Sequence, residues 1–543
     1  MKYLKSWQSI FVGGLALLYI TAIISCKKSV LDNVTYGTFG ASFPSNADEA
    51  QAAVNYCYTG MIQETEWSLD WSFLRPQGLA TTDELYVNWN WEGFRTFSFL
   101  TPDHSVAAGG NYAYFMRLVS QITVYIDKID NMASLDAATK SRYVGELKGL
   151  RAYYNSMLFS FFGPVPVRMV ASEVNNPEIP YLPRPTADVM VGYIVSDLTD
   201  AIAVLPDKCT GSENGKFSKA AALTCRMKLY MNLKRWDDAI EDGEAIKALG
   251  FSLMANYNDN FGPKSKGGNA EIILPVVCSP SGGTSGQYHN MWFAYCLPGD
   301  YKDPQGTAIQ GWNGWRMPWS TYRQFDTVND QRTLRLLRYY PVNGKNGATI
   351  WRDAFTGDTA ASLSGGKITP AGTLNGGATM VGRSAYQGAD KPGGAIPMKF
   401  DVDRSGASSQ NMDMDFIIYR YADVLLLLAE AYNNVDRTGD AIALIDQIRT
   451  RAGLLNTTAT DKVSVQAAIE KERLFELWFE FNRRDDLLRW GKFIQRAIDD
   501  GSAAANPNFN SGDIGAQKYL LWPIPRTIIS QSNGVITQNP GYN

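Results

Sequence analysis

The sequence predicts a mostly α-helical protein in which paired helices form a scaffold and the remainder is long loops with short strands. Three observations carry that reading. Apolar residues recur at three- and four-residue steps over many turns, as at Leu147, Leu150, Tyr154, Leu158 and Phe161. Two stretches far apart in the chain read as helix–turn–helix hairpins. Residues 64–101 and 278–325 are loop-like and aromatic, and residues 341–400 hold 12 of the 48 glycines without sustained periodicity.

In chain order, the first helix spans Asp48 to Glu64, with Asn46 or Asp48 as its cap and Ala52, Val54, Tyr58 and Ile62 on its apolar face. Tyr112–Met132 and Ser141–Phe162 follow. Gly163-Pro164 stops the latter, because glycine accepts the left-handed cap and proline cannot continue the ladder. Thr186–Leu205 is closed by Pro206. Lys219–Asn232 and Asp237–Leu249 form the first hairpin. Its order of small residues (Ala220 to Ala222), then Tyr230, a turn with Trp236, then Ala239 is similar to a tetratricopeptide unit, of period ~34 residues. The second hairpin pairs Tyr421–Asn433 with Asp440–Arg451, and a final helix pair runs from Val465 to Asp500. Such units cannot bury their apolar faces singly, so they are expected to stack. Within the glycine-rich segment, Ile350-Trp351 and Met398-Lys399-Phe400 are candidates to pair as short strands.

The 543 residues carry 51 Lys+Arg against 54 Asp+Glu, a formal charge of -3, which offers no basic stripe for nucleic acid. Two histidines leave little for imidazole catalysis or metal ligation, and none of the six cysteines forms a CxxC pair. No metal, cofactor or nucleic-acid partner is expected. Lys2 and Lys5 precede the apolar run Ile10–Ile24, which is short for a spanning helix and suits a secretory signal. The run ends in Ser25-Cys26, a small residue directly before a cysteine. That reads as a lipoprotein signal peptide over residues 1–25 with Cys26 as the lipidated residue; a signal peptide cleaved elsewhere is the alternative. Its removal takes Lys2 and Lys5 and shifts the charge from -3 to -5. The five other cysteines are an odd number, so they cannot all pair, and a Cys209–Cys225 bridge stays open.

Most chemistry-bearing patterns fail on spacing. Gly365-Gly366-Lys367 lacks the residues of a phosphate loop, and Gly283-Thr284-Ser285-Gly286 those of a nucleophile elbow. His104 beside Asp103 does not make a triad, and His289 reads as a surface-loop residue. Glu476 and Glu480 are four apart and would share a helix face. Glu480 also stands four before Arg484, and Asp485 four before Arg489, an interleaving typical of helix-stabilising or interhelical ion pairs.

The tryptophans are more informative. Of 14, four fall at Trp67, Trp71, Trp89 and Trp91, and four more at Trp292, Trp312, Trp315 and Trp319. Aromatic faces in Asn/Asp/Gly-rich loops suit sugars, whose C–H faces stack on rings while hydroxyls bond to amides and carboxylates. Asn88, Asn90 and Arg95 supply such groups in the first window, and Asn290, Gln310 and Asn313 in the second. The competing reading makes these indoles anchors of long loops on the scaffold.

Several short segments, in order, resemble the SusD/RagB family of nutrient-binding outer-membrane lipoproteins. They are Arg151-Ala152-Tyr153-Tyr154 leading to Phe162-Gly163-Pro164-Val165-Pro166, and Arg420-Tyr421-Ala422-Asp423 continuing to Ala429-Glu430-Ala431. Ile448-Arg449-Thr450-Arg451-Ala452-Gly453-Leu454, Glu472-Arg473 with Glu476-Leu477, and Arg484-Asp485-Asp486-Leu487 with Arg489-Trp490 follow. Trp522-Pro523-Ile524-Pro525 and Gln538-Asn539-Pro540-Gly541-Tyr542 close the series.

The resemblance implies a SusD-like α-helical domain over 26–543, with a helical part at about 26–277 and a loop-rich insert plus C-terminal helices at about 278–543. It implies a non-enzymatic protein, lipid-anchored at the outer membrane and facing outward, that binds oligosaccharide or polysaccharide. It also implies delivery of that ligand to a SusC-like TonB-dependent transporter. Family binding residues come from loops after an Asp-Glu element, here Asp83-Glu84, and from mid-chain aromatic loops. By position these are Trp89, Trp91 and Arg95, then Trp312 and Trp315; Trp292 and Asn313 of the second aromatic window complete the candidate ligand-binding set. Lys27-Lys28-Ser29 after Cys26 departs from the acidic cluster that accompanies outward export. A peptide ligand is the alternative, and a glycan-active enzyme the remote one, resting on Asp70, Asp83, Glu84, Glu92, Asp300 and Asp303 near the tryptophans.

Overall fold

The computed structural model describes residues 42–61, 74–89, 91–104, 110–174, 176, 178–278, 290–344, 347–355, 357, 359–360, 363–364, 367–368, 393–402, 412–506, 509 and 517–542. Its longer helices are α1 (Ala47–Cys57), α2 (Asn111–Asp130), α3 (Ala137–Phe162), α4 (Ala187–Val204), α5 (Lys219–Asn232) and α6 (Trp236–Ala248). They continue with α7 (Tyr421–Asn434), α8 (Thr438–Arg451), α9 (Lys462–Leu477), α10 (Arg483–Arg489) and α11 (Phe493–Asp499). Several starts are fixed by side chains that accept otherwise unpaired N–H groups: Asn46 before α1, Asp136 before α3, Thr186 before α4 and Ser218 before α5. Asp461 and Ser464 form a reciprocal capping box at α9. Each cap is worth ~1 kcal/mol.

The helices stack in sequence: α2 on α3, α3 on α4, α4 on α5, α5 on α6, α6 on α7, and α7 on both α8 and α9. The apolar stripe of α3 is buried throughout, and with it Ala152, Tyr153 and Phe162, because neighbours cover more than one side of this helix. Arg151 ties α3 to α4 through two hydrogen bonds to Asp197, at 2.7 and 2.8 Å. Gly163 ends α3 at φ 72°, in the left-handed region.

α6 and α7 are spatial neighbours although residues 249–420 separate them in sequence. The excursion is closed at its base by two buried strands, Ile272–Val276 and Phe416–Arg420, which pair antiparallel with Val276 opposite Phe416. A buried ion network locks this base to the C-terminal helices. Arg420 donates to Glu271 at 2.7 Å and to Glu476 and Glu480. Arg451 pairs with Glu271 and Glu476, and Arg332 with Asp330, Glu472 and Glu476. These arginines hold the Glu476 carboxyl well below the usual range despite its burial.

Three expectations are corrected. The final helix pair is three helices, α9, α10 and α11. α9 stops because Phe479 and Phe481 adopt φ 58° and 62°, which no helix continues. Glu480 therefore does not share a helix face with Glu476, and its partners are Lys399 and Arg420 rather than Arg484. Thr349–Asp353, which holds Ile350 and Trp351, pairs with Tyr339–Asn343 and Thr359–Ala360, while Ile396–Pro397 pairs with Leu336–Leu337. Cys57, Cys209, Cys225, Cys278 and Cys296 are all free thiols, so Cys209 and Cys225 are not bridged. Cys26 and the proposed signal peptide lie outside the described residues.

Candidate functional site

The two tryptophan windows, more than 200 residues apart, meet. Tyr86–Val87 pairs antiparallel with Trp315–Arg316, with Tyr86 opposite Arg316 and Val87 opposite Trp315. The pairing continues beyond the strands. Asn88 N donates to Gly314 O at 2.7 Å, Asn88 Nδ2 to Asn313 O at 2.9 Å, and Trp89 Nε1 to Trp312 O at 3.0 Å. A third segment, the short helix Trp292–Cys296, supports the second loop from below. Its region accepts from Trp312 N at Ala294 O (2.7 Å), from Asn313 N at Leu297 O (2.8 Å) and from Gly314 N at Tyr295 O (2.8 Å).

This lattice sorts the rings by depth. Trp89 and Trp312 are half-buried and lie 6.3 Å apart, inclined at 50°. Tyr295 sits against both, with centroids 6.0 and 5.5 Å away. Beneath it Trp315 stacks on Tyr295 at 4.7 Å, and Trp292 meets Trp315 edge-on at 5.2 Å. Trp292 is 2% exposed, donates to Pro397 O at 2.6 Å and touches Phe400, Phe416 and Phe479. The aromatic ladder thus runs from the surface into the core.

Depth decides which expected site residues can stack on a ligand. Trp89 and Trp312 are half-buried, so each keeps some surface in solvent. Trp292 and Trp315, each 2% exposed, are corrected from ligand platforms to core supports, because protein rings already pack against them. Trp91, 7% exposed, turns inward onto Phe94, and Arg95 is buried with a 3.1 Å bond to Asp500. Asn313 stays at the face, at φ 54°, a left-handed conformation that asparagine tolerates better than most residues. Its Oδ1 accepts from Arg316.

Two residues that sequence reasoning missed shape this face. Tyr295 stands three residues after Trp292, the spacing that brings two rings to one side of a helical turn. Arg316, 3% exposed, donates to the carbonyls of Cys296 and Trp315 as well as to Asn313. Burial pulls its pKa down to about 10. It carries a fixed charge directly under the loop.

The carboxylates that kept an enzyme formally open serve other contacts. Asp83 makes a two-point pair with Arg483 at 2.8 and 2.7 Å, and Asp300 bonds Arg352 at 2.8 Å. Glu84 is buried and accepts from Phe479 N at 3.0 Å; desolvation pushes its pKa up to about 8. Asp303 is 2% exposed and accepts from Thr307 N, and Asp70 lies outside the described residues. Asp103 pairs with Arg526 rather than His104, which stacks on Phe99 at 4.4 Å; His289 also lies outside the described residues. Among the described residues no His/Cys/Asp/Glu cluster could hold a metal ion.

Comparison with known proteins agrees with this architecture. The SusD family model matches residues 255–542, and a model described as starch-binding associating with outer membrane matches 74–231. A SusD-like protein of Formosa agariphila is 25% identical over 436 residues, 79% of this chain and 77% of that protein. One of Bacteroides ovatus is 22% identical over 91% of this chain and 84% of its own length. Among solved structures, a laminarin-binding SusD-like protein superposes with a TM-score of 0.70 at 23% identity, covering 92% of this chain and all of that one. Surface glycan-binding protein A of Bacteroides thetaiotaomicron, solved with laminarihexaose, gives 0.68 at 20% identity over 91% and 99% of the two chains. The helical stack, the inserted aromatic face and these matches lead to one conclusion: the chain belongs to the SusD family.

Proposed function

We propose that the protein is a non-catalytic glycan receptor. In this reading it captures oligosaccharide or polysaccharide on the face formed by Trp89 and Trp312, with Asn313 offering a polar contact beside them. The single observation that carries the reading is the convergence of the two windows, which sets two half-buried tryptophans side by side on a hydrogen-bonded base. Stacking on such rings needs no charge on the ligand, which fits a chain close to neutral. A laminarin-binding structural relative, another solved with laminarihexaose and a family model described as starch-binding support the ligand class.

The rest of the reading concerns place and partner. Cys26 carries the lipid anchor and holds the protein at the outer membrane, facing outward, where a SusC-like TonB-dependent barrel receives the ligand. No helix among the described residues is long and apolar enough to cross a membrane. A lipidated cysteine with two or more acyl chains would be a stable anchor. Two experiments test the proposal. Calorimetric titration against laminarin, starch and peptides should give glycan binding that barely responds to salt; a salt-sensitive peptide signal alone would favour the peptide reading. Expression of Cys26→Ala should release the protein from the membrane fraction, and unchanged attachment would remove the anchor from the account.

A further inference from the structure

A cavity lies inside the helical scaffold, and none of its lining residues belongs to the Trp89–Trp312 face. It encloses about 460 Å³ between α3, α5 and α10, a volume within the ~300–1,000 Å³ range of small-molecule sites. The rings of Tyr153, Phe161, Tyr419 and Phe481 give it largely apolar walls. Asn232 at the end of α5 and Lys234 in the turn after it, both exposed, stand at its rim and mark a way in.

The charged lining is one-sided. Arg75, Lys228, Lys234, Arg484 and Arg489 line the cavity against the single carboxylate of Asp485. The carboxylates that compensate Lys228 and Arg489, namely Asp423, Asp486 and Glu430, stand outside the lining. Arg484 is less well compensated. Its guanidinium lies 4.3 Å from the Phe161 ring centre and donates to Ser160 and to Leu520 O, its nearest carboxylate oxygen is 3.7 Å away on Asp485, and its Nε has no hydrogen-bond partner. Apolar walls focus the field of this under-compensated guanidinium into the cavity and favour an anion there. They equally favour a ligand whose bulk is hydrocarbon.

We propose that this cavity is a second binding site, for a small organic anion with an aromatic or otherwise apolar body. That ligand class differs from the glycan assigned to the Trp89–Trp312 face, and the proposal does not depend on that assignment.

The test titrates the full mature protein calorimetrically with naphthoate and, separately, with its neutral analogue naphthamide. The expected result is one naphthoate site, at least tenfold tighter than naphthamide and unchanged in Trp312→Ala. Ser156→Phe, which places a ring in the cavity from α3, should abolish it. Absence of naphthoate binding, equal affinity for the acid and the amide, or binding that survives in folded Ser156→Phe would each overturn the proposal. If Ser156→Phe does not fold, the acid–amide comparison on the unaltered protein still decides.

Discussion

The indole Nε1 of Trp89 donates to the main-chain carbonyl of Trp312 at 3.0 Å, across 223 residues of sequence. One bond therefore fixes the half-buried Trp89 ring against the Trp312 main chain, and its backbone acceptor does not depend on the Trp312 side chain.

The close approach of Trp89 to the opposite loop gives the first prediction. A Cβ on Gly314 would lie 2.2 Å from Trp89 Cζ2, so the indole must move to make room. Gly314→Ala is expected to weaken glycan binding roughly tenfold, ~1.4 kcal/mol, by displacing one platform. Indole fluorescence should shift as that ring changes environment, while far-ultraviolet circular dichroism stays that of the parent.

Trp292 should behave in the opposite way. It is buried among Trp315, Phe400, Phe416 and Phe479, so Trp292→Ala removes core volume rather than ligand contact. The expected cost is ~3–5 kcal/mol of stability, read by denaturant unfolding. Affinity per folded molecule should remain near that of the parent.

Arg420 neutralises three buried carboxylates at the base of the excursion. Arg420→Met leaves Glu271, Glu476 and Glu480 with less compensation, which should cost ~3–5 kcal/mol or prevent folding altogether. A double substitution, Arg420→Met with Glu480→Gln, should recover part of that loss in the same unfolding measurement.

Glu84 supplies a pH prediction. Desolvation raises its carboxyl from 4.5 to about 8, against the smaller opposing pull of Arg483. Folding thus favours the protonated form, and the stability this contributes is full below pH 4.5 and lost as pH rises toward 8. Glu84→Gln should flatten the decline in unfolding free energy between pH 5 and 8, by up to ~1.4 kcal/mol per pH unit. An unchanged slope would mean that Glu84 does not titrate in this window.

Helix positions were legible because burial imposes a period on the sequence: Lys219–Asn232 has the bounds expected of it, and Asn46, Gly163 and Pro206 punctuate their helices as read. The ion network was not legible. Glu476 and Glu480 suggested partners four residues away, whereas Arg420 lies 56 and 60 residues from them and Glu271 a further stretch upstream. Tryptophan density located the aromatic face, but composition does not encode depth. Trp292 and Trp312 sit in similar loop-like sequence, and only tertiary packing separates them: Trp292 is enclosed by Trp315, Phe400, Phe416 and Phe479, whereas Trp312 stays half-buried against Tyr295.

The central claim is that the Trp312 ring binds glycan rather than anchoring its loop, and Trp312→Ala isolates that ring because the main-chain bonds to Trp89 and Ala294 persist. Titration of parent and variant with the best glycan from the panel, beside a thermal melt of each, measures both readings at once. The account expects an affinity loss of ~30-fold, or ~2 kcal/mol, with little change in melting temperature. Unchanged affinity per folded molecule together with a lowered melting temperature would contradict it.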